Sequence, residues 1–374
     1  MNILMINLPY AGHTNPTLPL TRKLIRRGHR ITYVNAEKFR RRIEETGAAF
    51  VPYRDFPDDL SGNAVKRGSF RAAFDTAMSL TEPFDLLIYE MFFYPGAEIA
   101  KRKKIPCVRQ FSQPAWSEET WKNAPAVFRI SAKLIDLQVL KKQDARAMGF
   151  ASSSLRDGIL QSRPDLNIVY LPEEFQNCRS SFDDSYLFIV PAPALSAVPS
   201  GIRIPYEEMT APIVYISLGS IISNRGFCAE CVRAFGNRPC SVILNTGRVS
   251  VESLGTLPEN IHAYSFVPQI EVLRHTDVFL THCGMNSVNE ALYFGVPMVA
   301  MPFMNDQITN GRRIAELGLG KKVRSFPSRG KELYQAVMDV YSDGRYKKRA
   351  SEFSAAVRRQ TDWDGVISRI EALV

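Results

Sequence analysis

Short apolar runs alternate with longer segments of helical periodicity along most of the chain, and no other feature constrains the fold as strongly. In the first half, the strand candidates at residues 3–8, 31–34, 86–89 and 107–111 are separated by such segments. Strands that are apolar throughout are typical of a parallel sheet covered by helices on both faces. The alternation therefore predicts an α/β fold made of doubly wound, Rossmann-like sheets.

A proline-rich stretch divides this alternation into two halves. Five prolines fall between residues 191 and 212, and spaced prolines are unfavourable both in helix interiors and in central strands. Beyond them the alternation resumes, and from residue 330 onwards only helical patterns remain. At roughly 100–200 residues per domain, the chain of 374 residues suits two domains. We predict an N-terminal domain over 1–195, a linker over 196–212, a C-terminal domain over 213–345 and C-terminal helices over 346–374.

The predicted topology also indicates where a ligand would bind. In doubly wound sheets, ligands bind beyond the carboxyl ends of the strands. We therefore expect the two domains to face each other across a central cleft, and the C-terminal helices could pack back on the first domain.

The composition excludes several classes of protein. Hydrophobic residues make up 45% of the chain, far more than a disordered chain contains. No apolar stretch approaches the roughly 18–20 residues that span a bilayer, and the first residues contain no basic leader or cleavage site, so we expect a cytoplasmic protein. Lys and Arg exceed Asp and Glu by 47 − 38 = 9, which favours anionic ligands such as phosphates.

The six cysteines are too sparse for a disulfide framework. Cys228 and Cys231 have the Cys-x-x-Cys spacing of zinc and redox sites, but no second pair with ligand spacing follows them. They also lie in a predicted helix after Gly226. We expect reduced thiols here, and we predict no metal site.

The densest cluster of chemically informative residues lies between 278 and 307. A predicted strand ends at Thr281, a tight turn with Gly284 follows, and a helix is predicted to begin near Ser287. The N–H groups at a helix start bind anions, and a glycine lets a phosphate approach the backbone closely. His282 and the Ser287 hydroxyl would add donors, and Glu290 could bind both hydroxyls of a ribose.

The same residues admit a structural interpretation. Ser287 and Glu290 have the spacing of a capping box, in which each satisfies a backbone donor at a helix start and binds no ligand. His282 could likewise be a structural histidine at the end of a strand. The residues alone leave both interpretations open.

Two motifs carry a resemblance to a known family. The segment from Phe266-Val267-Pro268-Gln269 to Asp306-Gln307 resembles the donor-binding signature of the family 1 glycosyltransferases, the UDP-glycosyltransferases with the GT-B fold. It is most similar to the bacterial branch that glycosylates macrolides and other natural products. The run Gly12-His13-Thr14-Asn15-Pro16 resembles the opening motif of that branch. The order and separation of the two motifs fit the family.

The resemblance implies a binding site for a UDP-sugar as co-substrate, with UDP-glucose as the expected donor and no cofactor. Phe266 would stack on uracil where the family often has tryptophan, and the backbone of Val267 would contact the same base. Gln269 would lie near the ribose, and Glu290 would bind the ribose hydroxyls. The remaining contacts would come from His282, Gly284, Asn286, Ser287 and Ser220 to the diphosphate, and from Asp306 and Gln307 to the donor sugar. For Ser220, a plain turn after a strand is an equally open interpretation.

His13 matches the general base of the family. A neutral imidazole can take a proton from an acceptor hydroxyl or amine near pH 7. The family usually places an Asp near position 90 to orient this histidine, whereas this sequence has Glu90 there. We assign Glu90 to that role with one additional methylene of reach, although the pairing could also be rearranged. His29 shares the Gly-His context of His13 but is interpreted as structural.

The resulting hypothesis is an inverting, metal-independent glycosyltransferase. It would move a hexose from a UDP-sugar to a hydroxyl or amine of a small, largely apolar natural-product acceptor. One displacement at the anomeric carbon would convert a UDP-α-sugar into a β-glycoside, and a helix N-terminus would stabilise the leaving diphosphate.

Two alternatives belong to other classes of function. A nucleotide-sugar epimerase on the same fold would need acid–base carboxylates in place of the His13 loop. A basic nucleic-acid-modifying or nucleotide-binding protein would use the net charge of +9. However, the basic clusters lie on amphipathic helices, where solvated faces are the rule, and no nucleic-acid-binding motif is present. We expect no nucleic-acid partner.

Overall fold

Two parallel β-sheets organise the protein, one in each of its two compact units. The computed structural model describes residues 1–57, 62–139, 145–146, 148–149, 154–191, 202–219, 224–324, 330–360 and 362–374. One unit comprises Met1–Pro191 with Thr361–Val374, and the other comprises Ala192–Gln360.

The first unit is built on a sheet of seven parallel strands. Along the chain these are β1 (Asn2–Ile6), β2 (Arg30–Asn35), β3 (Ala49–Pro52), β4 (Leu86–Glu90), β5 (Cys107–Phe111), β6 (Leu166–Val169) and β7 (Tyr186–Phe188). Their order across the sheet is β3-β2-β1-β4-β5-β6-β7. The winding therefore reverses between the neighbours β1 and β4, which we call the first switch point.

The helices of this unit lie in sequence between its strands. They are α1 (Ala11–Thr14), α2 (Leu18–Arg26), α3 (Arg40–Glu44), α4 (Gly62–Ser79), α5 (Pro95–Lys103), α6 (Glu118–Asn123), α7 (Ala126–Val139) and α8 (Leu155–Gln161). The ends of α2 follow from its sequence: Pro19 lies in its first turn, and Gly28 after its last turn has φ +91°.

The second unit is built on six parallel strands. They are β8 (Ile213–Ser217), β9 (Ser241–Asn245), β10 (Ile261–Tyr264), β11 (Val278–Thr281), β12 (Met298–Ala300) and β13 (Gly320–Lys322). Their order is β10-β9-β8-β11-β12-β13. Here the winding reverses between β8 and β11, which we call the second switch point.

Helices connect these strands and complete both units. In the second unit they are α9 (Arg225–Phe235), α10 (Gln269–His275), α11 (Met285–Phe294), α12 (Asp306–Glu316), α13 (Gly330–Ser342) and α14 (Gly344–Arg359). The last helix, α15 (Trp363–Glu371), belongs to the first unit. There Trp363 and Ile370 are buried in the same apolar cluster as Ile3 and Leu24, so this helix covers part of the first core.

The predicted α/β fold class is confirmed, and most strands lie where the apolar runs placed them. The prediction missed β6, β7 and β13. Strands β7 and β13 have only three residues each, and β13 reads Gly-Lys-Lys without any apolar run. In β6, the polar Asn167 interrupts the apolar pattern. Short strands at the edge of a sheet therefore leave too weak a pattern for prediction.

The cysteines are packed as small apolar side chains. All six are free thiols, and Cys228 and Cys231 lie buried on α9, where burial raises the pKa of both thiols. Within the described ranges, no group of three or more His, Cys, Asp or Glu side chains is placed to hold a metal ion. None of the described helices has both the length and the apolar character needed to cross a membrane.

Candidate active site

Three of the predicted site residues lie at the ends of strands that meet at the two switch points. In open α/β sheets, ligands bind beyond the carboxyl ends of the strands at such points. In the first sheet, His13 follows β1 and Glu90 is the last residue of β4. In the second sheet, His282 directly follows β11. Each unit therefore presents a histidine where its fold is suited to bind a ligand.

His13 and Glu90 lie against each other at the first switch point. Nδ1 of His13 is 3.0 Å from Oε1 of Glu90, and the two side chains are 23% and 0% exposed. The backbone N–H of Phe92 donates to Oε2 of Glu90 at 3.0 Å, and the hydroxyl of Ser112 donates to Oε1 at 3.5 Å. Because a carboxylate accepts, this contact favours the tautomer with the proton on Nδ1 and makes Nε2 the proton-accepting nitrogen. The pair has the geometry of a base and its orienting acid.

A buried polar network fixes the backbone around His13, which lies in the short helix α1. Asn7 is fully buried after β1, and its amide donates to the carbonyl of His13 at 3.1 Å and to the hydroxyl of Thr17 at 3.3 Å. The amide of Gln110 donates to Oδ1 of Asn7 at 3.5 Å, and the hydroxyl of Tyr53 donates to the carbonyl of Asn7. Asn7 is not among the predicted site residues, although a polar residue between an apolar strand and the Gly-His pair of α1 is a signal that could have found it.

Aromatic rings surround His13. The ring centroids of Tyr10 and Phe92 each lie 5.4 Å from that of His13. Phe92 meets Trp116 edge-on at 5.8 Å, and Trp116 packs on Trp121 at 5.2 Å. The candidate base therefore adjoins aromatic, largely apolar surroundings.

Two glycines make room for the imidazole of His282. A Cβ added at Gly219 would lie 2.5 Å from Cε1 of His282, and a Cβ added at Gly284 would lie 2.5 Å from its Nε2. Either side chain would collide with the ring, so Gly284 leaves space for the histidine in addition to the expected approach of a phosphate. Burial lowers the pKa of His282 to about 4, and a hydrogen bond with the backbone of Ser217 raises this pKa by a smaller amount. The imidazole is therefore neutral near pH 7 and can donate one hydrogen bond.

Helix α11 begins two residues before the start predicted near Ser287. Its first residue is Met285, its N-cap is Gly284, and no side chain in the described part of the chain caps it. The N–H of Val288 donates to the carbonyl of Gly284 at 3.0 Å, so the N–H groups of residues 285–287 precede the first helical hydrogen bond. Ser287 lies within the first turn, so the capping-box interpretation of Ser287 and Glu290 is wrong. The helix start is an anion-binding feature.

Gln269 joins two of the predicted ribose and diphosphate residues. Its amide nitrogen donates to Oε2 of Glu290 at 2.6 Å and to Oγ of Ser287 at 3.2 Å. Its carbonyl oxygen accepts from the hydroxyl of Tyr215 at 3.0 Å. Burial raises the pKa of Glu290, and the bond from Gln269 opposes this shift. Since a carboxylate has several acceptor sites, Glu290 can accept from ribose hydroxyls as well.

Phe266 and Val267 differ sharply in exposure. Phe266 is 51% exposed, whereas Val267 is buried. An exposed aromatic ring is suited to stack on a planar base, and a buried valine can offer only its backbone. Asn286 lies in the first turn of α11 and is partly exposed there. Ser220 lies outside the described residues.

Asp306 and Gln307 begin helix α12. Oε1 of Gln307 accepts from the N–H groups of Phe303 and Met304 at 3.0 and 3.2 Å, so this side chain braces the loop before the helix. Its amide nitrogen is the part that could donate to a sugar. Oδ2 of Asp306 accepts from Nδ2 of Asn310 at 3.2 Å. The second unit thus places its predicted donor residues on α10, α11 and α12 and in the turns before these helices.

Comparison with known proteins assigns the family. The family model described as UDP-glucoronosyl and UDP-glucosyl transferase matches residues 207–361. The demethyllactenocin mycarosyltransferase of Streptomyces fradiae is 31% identical to this chain, and the alignment covers 94% of the chain and 82% of that protein. The chain belongs to the family 1 UDP-glycosyltransferases.

Further relatives agree with this assignment. The NDP-glycosyltransferase YjiC of Bacillus licheniformis is 29% identical to this chain, and the alignment covers 100% of this chain and 98% of that protein. The crystal structure of a glycosyltransferase of kitacinnamycin has a TM-score of 0.85 and 27% identity, and covers 100% of this chain and 98% of its own. This UDP-glycosyltransferase therefore has the GT-B fold and is of the natural-product type.

Proposed function

We propose that this glycosyltransferase moves a hexose from a UDP-sugar, with UDP-glucose as the expected donor, to a hydroxyl or amine of a small, largely apolar natural product. The observation that carries the proposal is the contact of 3.0 Å between Nδ1 of His13 and the fully buried carboxylate of Glu90. A carboxylate in this place orients the imidazole and stabilises its protonated form. Such a histidine suits a general base.

In the proposed reaction, Nε2 of His13 takes the proton of the acceptor group as that group attacks the anomeric carbon. The bond from the acceptor oxygen or nitrogen to the anomeric carbon forms while the bond from that carbon to the diphosphate oxygen breaks. The electron pair of the broken bond leaves with UDP, and the proton stays on the imidazole beside Glu90. A single displacement inverts the configuration, so a UDP-α-sugar gives a β-glycoside.

The departing diphosphate gains negative charge, and the second unit supplies groups that stabilise it. The N–H groups of residues 285–287 and the positive end of the dipole of α11 favour an anion at this helix start. Neutral His282 has a single N–H, which it can donate to the diphosphate in place of the Ser217 backbone carbonyl. Fixed donors of this kind stabilise charge as it develops, which supports a reaction that needs no metal ion.

The surroundings of His13 support an apolar acceptor. Phe92 is partly exposed, adjoins the imidazole and packs edge-on against the buried Trp116, and an aromatic ring favours flat or apolar partners. The six free cysteines support a reducing compartment, the cytoplasm, as the place of the reaction.

Incubation with UDP-glucose and a panel of phenols and macrolides tests the proposal. We expect mass spectrometry to find at least one acceptor that has gained a hexose, with a β linkage by NMR and a rate that EDTA does not change. An α linkage would contradict inversion, and loss of activity in EDTA that a divalent metal restores would contradict metal independence. A new UDP-hexose without transfer to any acceptor would favour the epimerase.

A further inference from the structure

Asn310 connects the turn after β11 with the start of α12. It is fully buried, four residues after Asp306 on the same helix. Its Nδ2 donates to the carbonyl of Cys283 at 3.0 Å and to Oδ2 of Asp306 at 3.2 Å. Both partners accept hydrogen bonds, which determines which end of the side-chain amide carries the nitrogen. One NH₂ group thus joins the two segments.

The bond to Cys283 sets the direction of a backbone N–H. The peptide group between Cys283 and Gly284 is planar and trans, so its carbonyl and its N–H point in opposite directions. With the carbonyl held toward Asn310, the N–H of Gly284 points away from this side chain. Cys283 has φ +68°, a conformation that costs a non-glycine residue energy. The bond from Asn310 helps to hold that conformation.

The bond to Asp306 sets the direction of a carboxylate. Asp306 follows Asn305, whose φ of +50° is also in the left-handed region, and it is the first residue of α12. A carboxylate has about four acceptor sites, so a bond from Asn310 is compatible with further bonds to sugar hydroxyls. It restricts the carboxylate to one orientation before a ligand binds.

The other atom of the amide group argues against a purely stabilising role. Oδ1 of Asn310 is buried and has no hydrogen-bond partner among the described residues. A buried, unpaired carbonyl lowers the stability of the folded state. The side chain therefore acts only as a double donor, and its contribution lies in the two groups that it orients.

We propose that Asn310 is a positioning residue for the nucleotide sugar. It turns the N–H of Gly284 toward the diphosphate and the carboxylate of Asp306 toward the donor sugar. The inference rests on the proposed function together with two roles implied by the family resemblance, a contact of Gly284 with the diphosphate and a contact of Asp306 with the donor sugar. Asn310 itself needs no contact with the ligand.

The variant Asn310→Asp tests the proposal because it keeps the shape of the side chain and puts an oxygen in place of the NH₂ group that donates to both partners. By isothermal titration calorimetry, we expect the affinity for UDP to fall about 10-fold and the affinity for UDP-glucose to fall about 100-fold, since only the second ligand also loses Asp306. The control is Thr309→Val. The hydroxyl of Thr309 donates to the backbone carbonyl of Asp306 at 2.7 Å, and its loss should change both affinities by less than about 2-fold.

The outcomes separate this inference from the proposed function. If the wild-type protein binds UDP-glucose and Asn310→Asp binds both ligands equally well, the inference alone is overturned. If Asn310→Asp loses equal affinity for UDP and for UDP-glucose, Asn310 does not orient the Asp306 carboxylate for the donor sugar. If the wild-type protein binds neither ligand, the proposed function is overturned first. Should Asn310→Asp not fold, Asn310→Ser, with one donor on a shorter side chain, replaces it in the same titrations.

Discussion

The histidines at the two switch points have opposite surroundings. His13 lies beside the fully buried carboxylate of Glu90, whereas His282 lies against Gly219 and Gly284, where burial lowers the pKa of its imidazole to about 4. A neighbouring carboxylate stabilises an imidazolium, and a buried apolar environment keeps an imidazole neutral. The same side chain is therefore suited to accept a proton in one unit and to donate a hydrogen bond in the other.

The strands beside the two histidines differ as well. Strand β4, beside β1, ends in Glu90, whereas β8, beside β11, ends in Ser217. Both sheets have the same doubly wound topology, which places the histidines at equivalent points. Their different chemistry comes from the Glu90 carboxylate beside His13 and from burial around His282.

Removing the proposed base should have the largest effect. We expect His13→Ala to lower kcat by roughly 10²- to 10⁴-fold, the usual range for a general base, with the affinity for UDP unchanged. The rate of product formation and a UDP titration measure the two quantities. A matched control is His29→Ala, because His29 lies in the same unit and contacts Glu371 at 2.9 Å. Turnover of His13→Ala at the wild-type rate would exclude the role as base.

Neutralising Glu90 should have the next largest effect. We expect Glu90→Gln to lower kcat by roughly 10²-fold, since an uncharged amide no longer stabilises the imidazolium. Glu90→Asp keeps the charge at a shorter reach and should retain more activity than Glu90→Gln. Steady-state kinetics of the two variants, with UDP affinity as a check on the donor site, measure this order. Equal activities of Glu90→Gln and wild type would show that the contact with His13 is not used.

The buried neutral state of His282 should appear in the pH dependence of stability. Its pKa is about 4 when folded and about 6.5 when unfolded, so below pH 6.5 the unfolded state binds more protons and stability falls as pH falls. Between pH 7 and 4, we expect the wild type to lose about 3 kcal/mol more unfolding free energy than His282→Gln. Urea unfolding of both proteins over this range measures the difference. Identical pH dependences would contradict the shifted pKa.

Removing the imidazole of His282 should weaken nucleotide binding. A hydrogen bond to a charged group contributes about 1.5–3 kcal/mol, so we expect the UDP affinity of His282→Ala to fall by roughly 10- to 100-fold. Calorimetric titration with UDP measures it, and far-UV circular dichroism checks the fold. Unchanged affinity would mean that His282 does not contact the diphosphate.

Phe266 should have the smallest effect. Aromatic stacking contributes about 0.5–1.5 kcal/mol, so Phe266→Ala should weaken UDP binding by roughly 2- to 10-fold, while the larger ring of Phe266→Trp should bind UDP at least as well as the wild type. Because Phe266 is 51% exposed, neither change should lower the unfolding midpoint. Equal UDP affinities of all three proteins would argue against stacking.

The sequence predicts the central strands well because burial on both faces makes them apolar throughout. Strands β4 and β11 are short runs of this kind: β4 contains the predicted run 86–89, and β11 ends at Thr281 as predicted. The edge strand β13 reads Gly-Lys-Lys and has no apolar pattern. It is a strand because its backbone pairs with β12, and the sequence of the segment gives no sign of that pairing. The register of α11 also escaped prediction, because Ser287 and Glu290 imitate a capping box while Gly284 is the N-cap.

The candidate site could be predicted only in part. The motif around His13 and the donor signature named residues that the structure brings to the switch points, but the sequence cannot measure the distance between His13 and Glu90. Asn7 and Asn310 escaped prediction for a different reason. The side chain of each donates a hydrogen bond to a backbone carbonyl of another segment. A bond of this kind depends on the folded structure and leaves no pattern in the neighbouring sequence.

The protonation states of the two switch-point histidines test the central claim most directly. In ¹⁵N NMR of the protein labelled on its imidazole nitrogens, followed from pH 8 to pH 4.5, we expect neutral His13 to carry its proton on Nδ1. We expect His282 to stay neutral until the pH approaches 4. A proton on Nε2 of neutral His13, or titration of His282 near pH 6.5, would contradict the account.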